Sequence, residues 1–163
     1  MIARHNATAH APEPARQDES GGDLSSLLYI SHSKIPPRDA VAGVHEIVAT
    51  GLARNPTLGL TGALLFTGEH FAQVLEGSSG SIAILMTDIC SDPRHEQILV
   101  VHQGILAERR FANWSLAYLG PSQFVSRHVT RLLNEPSPAQ RRRAAEWLND
   151  LMWEFTAGPG ALP

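Results

Sequence analysis

The segment HFAQVLEG at residues 70–77 places one side-chain amide, Gln73, inside an apolar run. Strand side chains alternate faces, so Phe71, Gln73 and Leu75 point one way and Ala72 and Val74 the other, which sets the amide among core side chains. Unpaired there, it would cost roughly 1 to 3 kcal/mol, so it needs a partner from backbone, water, another side chain or a ligand. The run LSSLLYIS at 24–31 reads as a strand by the same alternation, with Leu27, Tyr29 and Ser31 on one face and Leu28 and Ile30 on the other. Tyr29 then faces the layer of Gln73. An amide both donates and accepts, and a phenol is both a hydrogen-bond partner and an oxidisable electron donor.

Other residue types that could do chemistry are less well arranged. The eight histidines show no HxxxH, HExxH or Cys/His pairing, so no metal site is expected. There is no P-loop, no GxGxxG after a strand and no GxSxG elbow. Glu76, beside Gly77, is expected to meet backbone donors rather than to act as a general base. Cys90, the single cysteine, reads as a small buried hydrophobe in the last turn of a helix.

The elements that must position these groups follow from periodicity and punctuation. After Pro36-Pro37, a helix opens at Arg38-Asp39 with Val41, Val44, Ile47, Val48 and Leu52 as its apolar stripe, ending at Asn55-Pro56. Residues 60–66 and 70–75 form a hairpin around Thr67-Gly68-Glu69. A helix capped at Ser78 or Ser79 carries Ile82, Leu85, Met86 and Ile89 on one stripe and ends near Ser91-Asp92-Pro93. Strands follow at 98–106 and 114–119, the latter with Trp114, Leu116 and Tyr118 on one face.

The order β-α-β-β-α-β predicts an α+β, ferredoxin-like mixed sheet of about five strands with both helices on one face. Two further apolar stripes, one through Phe124, Val125, Val129, Leu132 and Leu133 and one through Trp147, Leu148, Leu151, Met152 and Phe155, supply helices to cover the other face. Ser137-Pro138-Ala139-Gln140 caps the second of them, and Arg141-Arg142-Arg143 is its solvated side.

With 163 residues, of which 43% are hydrophobic, the chain can build one core without disulfides. A net charge of −3 favours neither nucleic acid nor an anionic membrane as partner, and the lone cysteine fits a reducing, cytoplasmic setting. The expected division is a disordered arm at 1–23, a domain at 24–120, a helical extension at 121–157 and a flexible tail at 158–163. The arm lacks the apolar core of a signal peptide, and no run reaches the roughly 18 apolar residues of a membrane helix.

Tyr29 in an apolar first strand, NPTLGLTGALLF at 55–66, HFAQVLEG at 70–77, DPRH at 92–95 and RRFANW at 109–114 together resemble a BLUF domain, the blue-light sensor family that binds FAD. The resemblance covers roughly residues 26–119, and the spaced combination is far more specific than any one piece. It implies a photoreceptor of the short single-domain type rather than an enzyme, with the flavin between the two helices. By motif match Tyr29, Gln73 and Asn55 surround the flavin ring and Ile47 packs on it. Arg94 is the basic contact to its polar edge, with Asp92 and His95 nearby. Arg54 stands where family members vary among polar residues near the ring.

Trp114 is kept as a photoactive-site residue, whereas Leu116 replaces a methionine frequent among relatives. The resemblance further implies that light drives an electron and a proton from Tyr29 to the flavin and back while Gln73 rotates or tautomerises. A reversible red-shifted state results, passed to an unidentified downstream protein or to a homo-oligomer. Two other readings are a non-photoactive flavin-binding interaction module and a small ferredoxin-like enzyme using Glu76, Arg94 and His95.

Overall fold

The computed structural model describes residues 23–157, so the tail and all but Asp23 of the arm lie outside the described residues. Strand β1 (Leu24–Ser33) is buried along most of its length, as a strand flanked on both edges and covered on both faces must be. It lies between β3 (His70–Ser78) and β4 (His95–Ile105) in a sheet of order β4-β1-β3-β2-β5, where β2 is Thr61–Phe66 and β5 is Ala117–Leu119. β1 runs antiparallel to β3 and β4, β2 antiparallel to β3, and β5 parallel to β2. The β1–β3 register sets Tyr29 opposite Gln73.

Side-chain alternation divides the core in two. On one face Leu28, Ile30, Ala63, Leu65, Ala72 and Val74 meet Val125, Val129 and Leu132 of α3 (Gln123–Leu133) and Ala145, Leu148 and Met152 of α4 (Pro138–Ala157). On the other, Leu27, Tyr29 and Leu75 meet Ile82 and Leu85 of α2 (Ser79–Ser91), while Leu64, Phe66 and Phe71 meet Val44 of α1 (Ala40–Thr57). The α+β, ferredoxin-like arrangement with C-terminal helices over the second face therefore stands. Ser78 caps α2 by accepting from the Ser81 N–H, and Ser122 caps α3 by accepting from that of Val125.

Four local expectations need correction. The α1 stripe is only partly used: Val44 is buried, but Val41 is 77% and Leu52 47% exposed, because α1 stands off the sheet over much of its length. Cys90 is exposed rather than buried, lying about 100° round the helix from Ile89 and so off the apolar stripe. Arg141 is half-buried, its guanidinium donating to the Glu135 carbonyl at 2.7 Å, while Arg142 does face solvent.

The fourth concerns β5, which starts only at Ala117. The Trp114 N–H donates to the Phe111 carbonyl at 2.9 Å, closing a turn in which two-residue alternation does not hold. Trp114 consequently packs with the α3/α4 core while Leu116 packs with the α1 core, so the two do not share a face.

Glu76 is 1% exposed on the α3/α4 side of β3. Its carboxylate accepts from the backbone N–H groups of Arg110 at 3.1 Å and Phe111 at 3.0 Å, and from the Thr61 hydroxyl at 3.4 Å. The expected backbone-binding role is realised, with donors from the link between β4 and β5 rather than from the adjoining turn. Glu76→Ala strands both N–H groups and is expected to lower stability by roughly 1 to 3 kcal/mol, read from the urea midpoint; an unchanged midpoint would contradict this role.

Candidate functional site

Because α1 stands off the sheet, a cavity of about 280 Å³ opens between α1 and α2, floored by β1 and β3. Tyr29, Ile47, Arg54, Asn55, Gln73, Asp92, Arg94 and His95, all eight residues expected at a cofactor, line it. Trp114 does not; Leu116 lines the cavity instead. Thr50, Gly51, Leu85, Asp88 and Ile89 also line it and were missed. Their signal was present, since 47, 50, 51, 54 on α1 and 85, 88, 89, 92 on and just after α2 each repeat at i, i+3, i+4, i+7.

The floor is a hydrogen-bonded pair. The Tyr29 hydroxyl donates to Gln73 Oε1 at 2.6 Å, with Tyr29 1% and Gln73 6% exposed. This assigns the Gln73 carbonyl to the phenol and leaves its Nε2–H groups without a protein acceptor among the described residues. Burial, then the nearby charges of Asp92 and Cys90, push the Tyr29 phenol far above its ordinary range, so it stays protonated.

Asn55 is fully buried in the last turn of α1. Its Nδ2 donates to the Ser115 carbonyl at 2.6 Å, tying α1 to the segment before β5. Its Oδ1 has no hydrogen-bond partner among the described residues, a buried acceptor beside a cavity. An orphan of this kind costs roughly 1 to 3 kcal/mol unless something in the cavity donates to it.

The far wall is charged. Arg94 makes a two-pronged contact with Asp92, Nη2 to Oδ2 at 2.6 Å and Nε to Oδ1 at 2.9 Å, and reaches Glu46 at 3.6 Å. The Arg94 side-chain hydrogen bonds hold the Asp92 carboxyl below its usual range and, in return, hold the guanidinium pKa up. Arg54 pairs with Asp88 at 3.2 Å across the gap between α1 and α2. Beyond this wall Glu46, Asp88, Ser91, Asp92, Pro93 and Arg94 surround an outer, open hollow.

His95 closes one end. Its Nδ1 lies 2.8 Å from the Ser31 hydroxyl, and its ring sits 4.6 Å from that of Phe71 and 6.4 Å, edge-on, from that of Tyr29. Glu76, by contrast, lies on the opposite face of the sheet with its carboxylate committed to backbone donors. The enzyme constellation of Glu76, Arg94 and His95 is therefore not assembled.

The cavity joins an apolar slot with unspent polar groups, the Gln73 amide N–H and the Asn55 carbonyl, facing a guanidinium. Its volume is near the lower end of the roughly 300 to 1,000 Å³ of small-molecule sites, which suits one flat heterocycle with donor and acceptor edges. Among the described residues no group of three or more His, Cys, Asp or Glu could hold a metal, and no helix is long and apolar enough to cross a membrane.

The family model described as "Sensors of blue-light using FAD" matches residues 24–117. The blue light- and temperature-regulated antirepressor BluF of Escherichia coli K12 is 38% identical over 88 residues, covering 54% of this chain and 21% of that protein. The photoactivated adenylate cyclase subunit alpha of Euglena gracilis is 29% identical over 106 residues, covering 64% of this chain and 10% of that one. The chain thus spans about a fifth or less of these curated relatives. Among solved structures, the BLUF protein BlrB in its dark state superposes with a TM-score of 0.64 at 29% identity, covering 78% of this chain and 95% of that chain. Klebsiella pneumoniae BlrP1 with FMN and cyclic diGMP gives 0.55 at 32% identity, covering 84% of this chain and 35% of that one.

Burial holds His95 below its ordinary pKa of 6.5. Its neutral form is then favoured by folding, so stability is fully kept above 6.5 and declines as pH falls from 6.5 through the folded value. NMR titration of His95 should give a midpoint below that of an unstructured peptide, and a midpoint at or above it would contradict the buried placement.

Proposed function

The chain belongs to the BLUF family, the sensors of blue light using FAD, and on that premise we propose that its cavity holds the flavin ring of FAD and that Tyr29 and Gln73 make it a reversible blue-light switch. The observation that carries this reading is the pairing of the 2.6 Å Tyr29–Gln73 hydrogen bond with unspent cavity-facing groups on Gln73 and Asn55. The fit is chemical: an amide N–H, an orphaned carbonyl and a guanidinium suit a ring edge carrying carbonyl and imide groups. A bound flavin supplies blue-light absorption and electron acceptance, which the side chains lack.

The chain's own residues supply the rest. Asn55 Oδ1 gains a donor, which removes the cost of its burial, and Ile47 and Leu116 exclude water from the ring faces. Arg94, released in part from Asp92, provides positive charge at the polar edge. Arg54 and the outer hollow lie where a polar tail of the cofactor leaves the cavity.

Tyr29 is the electron donor. Its buried phenol gives up an electron and a proton together, because either charge alone in this site would be unsolvated, and regains both. While the phenol proton is away, the Gln73 carbonyl is without its donor and the amide rotates or tautomerises. When the proton returns, Gln73 offers a different edge to the cavity, with no net change in atoms or electrons. The persisting difference is one hydrogen-bond pattern, able to bias the structure between two packings.

In this reading residues 24–120 are the sensing unit and 121–157 an output extension, with transfer through a partner protein or a homo-oligomer. Gln73→Leu should bind flavin yet show no red shift under blue light, and Tyr29→Phe should bind it and lose the reversible photocycle. Absorption spectra before and after illumination read both, and a normal light-induced shift in Gln73→Leu would sink the mechanism.

A further inference from the structure

Helices α3 and α4 leave a second cavity between them, an open groove of about 470 Å³. His128, Arg131 and Glu135 reach it from α3 at helical spacing, and Arg143, Trp147 and Leu148 from α4. Leu148, 1% exposed, gives it an apolar base. The groove shares no residue with the cavity between α1 and α2.

Its polar groups are largely unspent. His128 Nδ1 lies 2.8 Å from the Phe124 carbonyl, which only accepts, so Nδ1 carries a proton and Nε2 is left for another partner. The imidazole stacks on the Trp147 indole at 4.3 Å and 28°, which fixes the indole plane while 37% of Trp147 stays exposed. Among the described residues neither the Arg131 nor the Arg143 guanidinium has a hydrogen-bond or ion-pair partner. Neighbouring arginines do have them: Arg142 pairs with Glu146 at 3.8 Å, Arg110 with Asp150 at 2.7 Å, and Arg141 donates to the Glu135 carbonyl at 2.7 Å. The carboxylate of the groove, Glu135, is turned to the α3–α4 connection. There its Oε1 accepts from the Ser137 N–H at 3.1 Å, and the Gln140 amide, with its nitrogen toward Glu135, donates to both carboxylate oxygens at 3.0 and 3.1 Å.

Two cations without a counter-charge, beside a flat ring and over an apolar base, specify the ligand's chemistry. A phosphate monoester carries a charge of about −1.5 to −2 at neutral pH and accepts guanidinium N–H groups in pairs, whereas one carboxylate offsets only one of the two arginines. An exposed indole is a platform on which a nucleobase stacks whatever its identity. The volume falls within the roughly 300 to 1,000 Å³ of small-molecule sites. We propose that the α3/α4 groove binds a nucleoside monophosphate, with the phosphate between Arg131 and Arg143 and the base on Trp147. His128 is a positioning residue that holds the indole. The site is independent of the light-switch reading, since neither cavity lends a wall to the other.

Calorimetric titration of the flavin-loaded full chain tests this with AMP, GMP, CMP and UMP, beside inorganic phosphate and a glutamate-rich peptide. At least one nucleotide should bind saturably at one site per chain and roughly tenfold tighter than inorganic phosphate, the gain expected from stacking one base. Arg131→Gln and Arg143→Gln should each weaken it roughly tenfold. Arg127→Gln makes the same change of charge at an exposed position of α3 outside the groove, and should alter binding by less than about twofold. Trp147→Leu should weaken the nucleotide and leave inorganic phosphate unchanged. The proposal is overturned if none of the four nucleotides binds saturably, or if the double variant Arg131→Gln, Arg143→Gln binds as the wild type does. Inorganic phosphate binding as tightly as the nucleotides, or Trp147→Leu keeping full nucleotide affinity, also overturns it. A peptide that displaces the nucleotides from these arginines makes the groove a protein interface instead.

Discussion

The cross-strand pairing of β1 with β3 that sets Tyr29 opposite Gln73 is the constraint on which the site depends. A slip of β1 by one residue would turn its side chains to the other face, leaving Tyr29 on the α3/α4 side of the sheet and Gln73 on the cavity side. Two packed faces make such a slip costly, because every buried residue from Leu27 to Ile30 would change environment. The 2.6 Å hydrogen bond is thus held by the whole sheet rather than by its own modest strength.

The cavity exists because α1 is poorly matched to the sheet. A helix with Val44 and Asn55 as its buried residues leaves space that a fuller apolar stripe would fill. One buried residue is an amide with an orphaned oxygen, which a fold optimised only for stability would not keep. The charged wall works the same way. Arg94 folds back onto Asp92, so the positive charge a ligand edge would meet is held by a neighbouring carboxylate instead.

Much of this was legible in the sequence because alternation and helical spacing are local. The two strand faces, the α2 stripe and its Ser78 cap follow from a few consecutive residues, and the spaced motif located the cavity-lining set. What was not legible depended on long-range partners. Trp114 and Leu116 lie two positions apart, which suggests one face, but the turn closed on the Phe111 carbonyl breaks the period. Glu76 finds its donors 34 and 35 residues away, at Arg110 and Phe111, and nothing local announces them. Cys90 and the outer α1 residues differ because helical periodicity gives a direction and not the distance to the sheet.

The proposed switch centres on an amide whose pairing can change, the Gln73 side chain at the cavity floor. The side-chain ¹⁵N spectrum of Gln73 tests that claim most directly. On adding FAD in the dark, the Gln73 amide protons should shift downfield and exchange more slowly, while the Tyr29 hydroxyl stays hydrogen-bonded. A Gln73 amide unchanged by FAD would contradict the account.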